Sequence, residues 1–455
     1  MLVIQKGLNF LRLNLKHKDF ILRYKELKKN QYLSYELIQQ RQLKSLNKLL
    51  NHAYTHVPYY HKKFEELDIW DNNKINLKNL NEITKLPLLT KDIIIKEKEN
   101  LYSNDIQERK SFKNTTGGST GKPLSFLQDF DYVLSNKLNT QLSLSWRGFE
   151  LYDDMITIWG AQRDTFEGKK PIKKSLMDFI QNKLVLNSFN MSNDDMRNYI
   201  KLLNIHQPKL IKAYAQSIYQ IAKFAKENNI YVKKQNAVHL AAGTVYPFMK
   251  ELIEDVFQCK SYNDYGSREA GTIASECSAQ DGLHIMVEHV FVEVLDKNGQ
   301  PCQYGEEGEI VITTLNNYSM PLIRYKIGDM GVLMENKKCS CGCSYPKLEK
   351  VIGRVTDIFK TTTGVIVAPE YFIHLIGVVL NRGNIEKFQV IQEELDKIVV
   401  KIVQQSEMTK DNLKEIEEKI KIVMGKECKV EFDFVDDIPT TATGKYQYTI
   451  SKIEF

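Results

Sequence analysis

The 455-residue chain contains no run of about 18 uncharged apolar residues, so no transmembrane helix is expected. The opening Met1-Leu2-Val3-Ile4-Gln5-Lys6 lacks a charged start followed by an apolar core and a small-residue cleavage site. A secretory leader is therefore not expected, and a cytoplasmic location is. No long Lys/Arg run with interleaved aromatics occurs, and a net charge of +6 is modest for this length. That argues against nucleic acid as a partner. Cysteine is scarce, at seven residues, and three of them bunch in Cys339-Ser340-Cys341-Gly342-Cys343. A disulfide framework would spread them; in a large cytosolic chain the bunching reads as metal binding. There is no internal repeat and no low-complexity segment. What is present is 42 % hydrophobic residues, enough for a sizeable core. The length fits roughly three domain-sized units, or one large domain plus a small one.

The stretch Asn114-Thr115-Thr116-Gly117-Gly118-Ser119-Thr120-Gly121-Lys122-Pro123 concentrates glycines, hydroxyls and a lysine. Glycines let the backbone turn tightly and bring N–H groups close to an anion. Hydroxyls add donors and the lysine a compact positive charge, so the natural ligand is a polyphosphate. The order is not that of a Walker A loop.

Residues 1–60 read as helical, with Leu8, Leu11, Leu13 and Leu15 among basic residues. A helix docked on its own domain is the favoured reading, and a weak peripheral membrane contact the other. Leu43 to Tyr54 has helical spacing that Pro58 should break. After the glycine-rich stretch, strands are expected at Leu124–Leu127, Met155–Gly160, Lys209–Tyr214 and Ala237–Ala241. Helices are expected at Tyr132–Trp146, Asp194–Leu203, Ser217–Glu227 and Phe248–Phe257. That alternation predicts an α/β architecture with mainly parallel pairing. From Ile285 to Ile312 the pattern turns to strand-turn-strand, which predicts an antiparallel or barrel-like portion. Strand-like alternation over Asn384–Gln404, a charged helix over Thr409–Met424 and a strand at Glu431–Val435 predict a small α+β tail of about 100 residues. The expected division is a large domain over 1–352 and a mobile C-terminal domain over 353–455.

Further segments carry chemistry. In Asn263-Asp264-Tyr265-Gly266-Ser267-Arg268-Glu269, a tyrosine can stack on a purine and a glutamate can hold Mg2+ against phosphate. Met320-Pro321-Leu322-Ile323-Arg324-Tyr325-Lys326-Ile327-Gly328-Asp329 ends in an aspartate that could accept from both ribose hydroxyls. Pro439-Thr440-Thr441-Ala442-Thr443-Gly444-Lys445 sets a lysine on a Gly/Thr loop.

These segments, with Gly353-Arg354-Val355-Thr356-Asp357, stand in the order seen in the adenylate-forming superfamily. The whole chain resembles its phenylacetate–CoA ligase branch, and within that the CapK-like proteins of surface-polysaccharide gene sets. The narrower match rests on Leu50-Asn51-His52-Ala53-Tyr54-Thr55-His56-Val57-Pro58-Tyr59-Tyr60, Ser188-Phe189-Asn190-Met191-Ser192 and Gly444-Lys445-Tyr446-Gln447-Tyr448.

The resemblance implies the following roles. Thr115, Thr116, Gly117, Gly118, Ser119, Thr120, Gly121 and Lys122 close over the β- and γ-phosphates of ATP. Tyr265, with Gly266 and Ser267, lies beside the adenine. Glu269 helps place Mg2+, Asp329 holds the ribose and Arg354 contacts the nucleotide near the hinge. Lys445 reaches the carboxylate and the α-phosphate. Two positions depart from the family pattern. Gly243-Thr244 stands where Gly-Glu is usual, and Thr356, followed by Asp357, stands where the hinge aspartate is often found.

Cys277 and His284, with six residues between them, and Cys339 with Cys341 supply three thiolates and one imidazole. That is a closed tetrahedral zinc set, with Cys343 an extra candidate, and many related ligases resemble it here. The zinc would pin two loops and take no part in catalysis.

The implied activity is an ATP-dependent ligase that adenylates a carboxylic acid and passes the acyl group to CoA or to an amine or hydroxyl, as on an amino sugar. Adenylyl transfer to a hydroxyl of a cofactor-like substrate, or a non-catalytic nucleotide-binding scaffold, are the alternatives. Intact Glu269, Asp329, Arg354 and Lys445 argue against the scaffold.

Overall fold

A computed structural model describes residues 18–67, 70–71, 74–115, 124–159, 183–188, 191–241, 243, 245–354, 359–363, 366–367, 371–372, 375–376, 384–439 and 447–453. The chain divides into two compact units. The first comprises Met1–Gly243, Leu252–Ile327 and Gly331–Val351; the second comprises Thr244–Glu251, Gly328–Met330 and Ile352–Phe455.

The first unit opens with helices. Helix α1 (Lys18–Asn30) buries Ile21, Tyr24 and Leu27. The docked reading therefore holds for this stretch, whereas Leu8, Leu11, Leu13 and Leu15 lie outside the described residues. Helix α2 (Tyr35–His56) buries Leu46, Leu49, Leu50 and Ala53, the i, i+3, i+4, i+7 stripe of a helix with one covered face. It stops before Pro58, which becomes the first residue of α3 (Pro58–Glu65), where a missing N–H costs nothing. No helix among the described residues is long and apolar enough to cross a membrane.

Next comes a hairpin of β1 (Phe112–Thr115) and β2 (Ser125–Gln128), then helix α4 (Phe130–Ser145). Strand and helix then alternate. They are β3 (Met155–Ile158), β4 (Lys183–Leu186), α5 (Asn193–His206), β5 (Leu210–Tyr214), α6 (Ala215–Glu227), β6 (Val238–Ala241), α7 (Pro247–Phe257) and β7 (Ser261–Ser267). Strand β3 lies between β4 and β5, and all five strands run parallel, as the alternation predicts. Inward residues such as Ile156, Ile158, Ile211, Ala213, Val238 and Leu240 are buried, as are Ile218, Ile221 and Ala222 of α6.

Beyond β7 pairing turns antiparallel, through β8 (Gly271–Glu276) and β9 (Leu283–Ile285). Strands β10 (Val290–Leu295), β11 (Glu307–Thr314), β12 (Tyr325–Leu333) and β13 (Lys347–Arg354) complete the sheet. Its eleven strands stand in the order β10-β11-β12-β13-β9-β8-β7-β6-β5-β3-β4. The Ile285–Ile312 region thus extends the same mixed sheet, and no closed barrel forms among the described residues. One large apolar cluster joins α2 and α3 to β8–β13, through Leu46, Leu50, Phe64, Ile273, Ile310 and Leu348 among others.

In the second unit, β14 (Ile385–Glu394) and β15 (Lys397–Gln404) pair antiparallel; helix α8 (Lys410–Met424), β16 (Lys429–Phe434) and β17 (Thr449–Ser451) follow. The sheet order is β16-β15-β14-β17. Ile398, Val400 and Ile402 alternate inward on β15, and α8 buries Ile416, Ile420 and Met424. A reciprocal Thr409–Asn412 capping box starts α8 and Gly425, at φ +107, ends it.

Candidate active site and metal centre

The glycine-rich stretch connects the two strands of the β1–β2 hairpin, whose last pair is Thr115 with Ser125. Thr115 is half-buried, and Thr116, Gly117, Gly118, Ser119, Thr120, Gly121 and Lys122 lie outside the described residues. The hairpin's base is well defined. Asn114 donates to the Gln128 Oε1 at 3.0 Å, and Gln128 Nε2 donates to the carbonyls of Arg268 and Glu269 at 2.9 and 3.3 Å. One buried amide therefore ties the loop's stem to the Y-G-S-R-E segment. The next residue, Asp129, caps α4 through the Tyr132 N–H at 2.9 Å. Its other oxygen accepts from the Tyr318 and Ser319 N–H groups at 2.8 and 2.9 Å, just before Arg324-Tyr325-Lys326.

Tyr265 and Gly266 fall on β7, and Tyr265 packs half-buried against the main cluster. Gly266 is required by crowding, since a Cβ there would lie 2.4 Å from the Gly271 carbonyl oxygen. Ser267 Oγ accepts from the Ala270 N–H at 3.1 Å, which closes the turn that carries Glu269. Glu269 is only 9 % exposed. The Tyr325 hydroxyl points at its Oε1 from 3.5 Å, the outer limit of a hydrogen bond. Burial, then the nearby Glu269 charge, pushes the Tyr132 hydroxyl up from its usual range. A recessed carboxylate with phenols around it suits a bound cation better than solvent does.

Arg324 turns inward. Its guanidinium bonds Glu293 at 2.9 and 3.1 Å and the Leu86 and Thr84 carbonyls at 2.6 and 3.1 Å. It holds a left-handed φ of +50, which this set of bonds stabilises. Asp329 stands half-buried on β12 after Gly328, whose φ is +83. Arg354 ends β13, and its side chain lies outside the described residues, as do Thr244, Thr356, Asp357 and Lys445.

The H-V-P-Y-Y stretch supplies a brace that spacing did not reveal. The fully buried Tyr60 donates to the Pro321 carbonyl at 2.9 Å and accepts from the Ile323 N–H at 3.2 Å. Its signal was a tyrosine in the first turn of a short helix that begins at a proline. Gln128, Asp129 and Tyr60 read in the sequence only as polar punctuation, because each also has a partner more than a hundred residues away: Arg268 and Glu269, Tyr318 and Ser319, and Pro321 and Ile323.

The four expected zinc ligands do come together. Ligand atoms of Cys277, His284, Cys339 and Cys341 all lie within 4.8 Å of one another. Cys277 follows β8 and His284 sits on β9; Cys339 and Cys341 occupy the turn before β13, where Gly342 takes φ +85. Cys277 and Cys339 sulfurs are 3.7 Å apart, and Cys341 Sγ is 3.4 Å from His284 Nε2. His284 Nδ1–H donates to the Tyr345 carbonyl at 2.8 Å, leaving the Nε2 lone pair toward the sulfurs. That orientation is typical of a metal-bound imidazole. The thiol of Cys277 is pushed up to about 11 by Cys341 and by burial, and burial raises Cys339 as well. Three crowded sulfurs need a cation to become thiolates. Cys343 is buried in the apolar cluster and outside this set.

A second group gathers His52, His56 and Asp105. Here Arg109 binds both Asp105 oxygens, at 2.8 and 2.6 Å, and His52 Nε2–H donates to the Tyr318 carbonyl at 3.0 Å.

With this geometry in place, comparison with known proteins is informative. Residues 359–452 match the family model of the CapK C-terminal domain. Over 435 residues the chain is 27 % identical to Protein CapK of Staphylococcus aureus, covering 92 % of each. The chain is thus similar to CapK over nearly its whole length. It is also 24 % identical over 328 residues to a phenylacetate-coenzyme A ligase of Aromatoleum evansii, covering 70 % of each. Among solved structures, a 2-hydroxyisobutyryl-CoA ligase in the postadenylation state, in complex with R3-HIB-AMP, superposes with a TM-score of 0.70. The match covers 92 % of this chain and 90 % of that one at 17 % identity, which establishes the adenylate-forming fold.

Proposed function

We propose that this protein is an ATP-dependent, AMP-forming ligase that activates a carboxylic acid. The observation that carries the reading is the convergence on Glu269: Gln128 links the phosphate-loop stem to its backbone, and Tyr325 of the R-Y-K-I-G-D segment faces its carboxylate. The relatives support it. An acid carboxylate oxygen attacks the α-phosphorus of ATP, the bond to pyrophosphate breaks, and an acyl-adenylate forms. Thr115 to Lys122 cradle the leaving phosphates, Tyr265 stacks on adenine and Asp329 accepts from the ribose hydroxyls. Mg2+, placed with the help of Glu269, would supply charge neutralisation on the phosphates. An incoming nucleophile then attacks the acyl carbon and expels AMP. The acceptor is CoA or an amine or hydroxyl of a sugar, in surface-polysaccharide assembly, and a cytoplasmic location is consistent with the use of ATP.

We assign Lys445 to the first half-reaction, on a mobile domain formed by residues 353–455. A lysine in a Gly/Thr-rich segment can meet charge as it develops on the α-phosphate, and closure of such a domain excludes water from a hydrolysable intermediate. Lys445→Ala should cut ATP–pyrophosphate exchange by orders of magnitude while sparing transfer from a supplied acyl-adenylate. Equal loss in both half-reactions would refute the assignment. Wild-type exchange that responds to no acid in a broad panel would refute the adenylation reading itself.

A further inference from the structure

One face of the parallel strands carries polar and aromatic side chains in register. Lys212 of β5 pairs across to His239 of β6, and His239 to Tyr262 of β7. Behind them Arg147, at the end of α4, bonds Asp264 at 3.0 Å and also contacts His239 Nδ1 and Ser275 Oγ. Asp264 is thereby committed: Arg147 and Ser275 bond it, and His239 Nε2 stands 3.7 Å away. Burial, then Arg147 and Lys212, pushes His239 well below its usual range, so it stays neutral. Two cations therefore face one carboxylate. Among the described residues Lys212 has neither an ion-pair partner nor a hydrogen-bond acceptor. Its ammonium lies 5.3 Å from the centre of the Trp159 ring. Burial lowers its pKa, with Asp264 opposing and Arg147 adding to the effect. A recessed charge without a partner is costly, and an incoming anion removes that cost.

The position also fits a ligand. Trp159 follows β3 and Tyr214 ends β5, at the carboxyl ends of these strands, with ring centroids 3.9 Å apart, and both are half-buried. Ligands of open parallel sheets bind outside those ends, where Tyr265 and Glu269 also stand. Lys212 is level with Tyr262, three residues before Tyr265, and two strands away. Strand geometry makes that about 10 Å along the strands and about 10 Å across them. The carboxylate that reacts beside Tyr265 and Glu269 is not the group that Lys212 meets.

We infer that the acid substrate carries a second anionic group at its far end, which Lys212 binds, while Trp159 and Tyr214 wall the body of the molecule. This rests on the adenylation reading and narrows it to diacids and their like.

The test uses matched acids: hexanoate against adipate, and phenylacetate against 4-carboxyphenylacetate. Full-length protein should exchange pyrophosphate faster with the dicarboxylate of a pair. Lys212→Met should lower the dicarboxylate-to-monocarboxylate ratio of kcat/KM by about tenfold or more, through KM, and Lys212→Arg should retain most of it. Equal or better use of the monocarboxylates by the wild type, or an unchanged ratio in Lys212→Met, overturns the inference. The wild-type preference needs no variant, so misfolding of Lys212→Met leaves the test intact. Calorimetric titration of each acid without ATP separates the two readings. Dicarboxylate binding that depends on Lys212, in a protein that exchanges with no acid, upholds this site and sinks adenylation. Absence of both overturns the site.

Discussion

Two groups of metal-ligand side chains in the first unit bring their ligand atoms equally close, and they differ in charge. In the Cys277–His284–Cys339–Cys341 group, no Lys or Arg among the described residues hydrogen-bonds to any of the four. The Cys277 and Cys339 thiols are raised, so the positive charge that would ionise them has to come from outside. In the His52–His56–Asp105 group that charge is built in. Arg109 grips Asp105 through two bonds and holds its carboxyl well below the usual range. A metal entering there would have to displace a guanidinium. Proximity alone does not define a metal centre; what defines it is donors whose charge is not yet met.

The largest effect tests the sulfur group. Protein purified without chelators should carry about one zinc per chain. Cys341→Ser should lose it, together with several kcal/mol of stability, because the metal would join the β8–β9 connection to the turn before β13. Elemental analysis and thermal denaturation decide this. Zinc-free wild type, or an unchanged Tm in the variant, would erase the difference between the two groups.

A histidine outside both groups sharpens the comparison, because both its nitrogens are used. Ser135 Oγ donates to His289 Nδ1 at 2.9 Å, and Nε2–H donates to the Ala270 carbonyl at 2.8 Å, beside Glu269. Burial depresses its pKa from 6.5 to about 4, with the Ala270 carbonyl opposing. The native state then binds a proton less readily than the unfolded chain. Stability should be full above the unfolded value and decline as pH falls from 6.5 toward about 4. The loss should total roughly 3 kcal/mol. Acid would also protonate thiolates that hold a metal, so the readout is the difference between wild type and His289→Gln in urea titrations across that range. Parallel curves for the two proteins would remove His289 as the cause.

Much of this was legible in the sequence, and the rest was not for physical reasons. The α/β alternation, the break at Pro58, the C-terminal α+β tail and the grouping of Cys277, His284, Cys339 and Cys341 all follow from local periodicity or unusual residue clusters. Of the antiparallel or barrel-like reading of Ile285–Ile312, the antiparallel pairing is present and no closed barrel forms among the described residues, because hairpin signals do not tell whether strands close on themselves or extend a neighbouring sheet. Glu269 was marked by its motif, but its supports were invisible. Gln128 and Tyr60 are ordinary polar residues until the fold sets them against Glu269 and Pro321. Arg324 is the converse. It sits inside a motif that reads as functional, yet its side chain is committed to Glu293 and two carbonyls. Lys212 gave no sequence signal, since a lysine in an apolar strand stands out only when the register places it among Arg147, His239 and Asp264.

The smallest effect tests the charge-filled group. Asp105→Asn keeps the side chain's shape and one oxygen acceptor, so Ser103 Oγ can still donate to it. It removes the charge that the Arg109 fork binds. Asp105 and Arg109 side chains are 17 % and 23 % exposed, so water screens the pair in part. Arg109 also keeps its seat over the Tyr318 ring, 5.2 Å from its centre. The expected loss is therefore only about 1 kcal/mol. Because the pair holds the Asp105 pKa down, that contribution is present above the ordinary carboxylate range. It fades as pH falls through the folded value. Zinc content should not change, since Asp105 contributes nothing to the sulfur group. A lowered zinc stoichiometry in Asp105→Asn, or a second bound metal in the wild type that His52→Ala removes, would show that the guanidinium does not exclude a metal there.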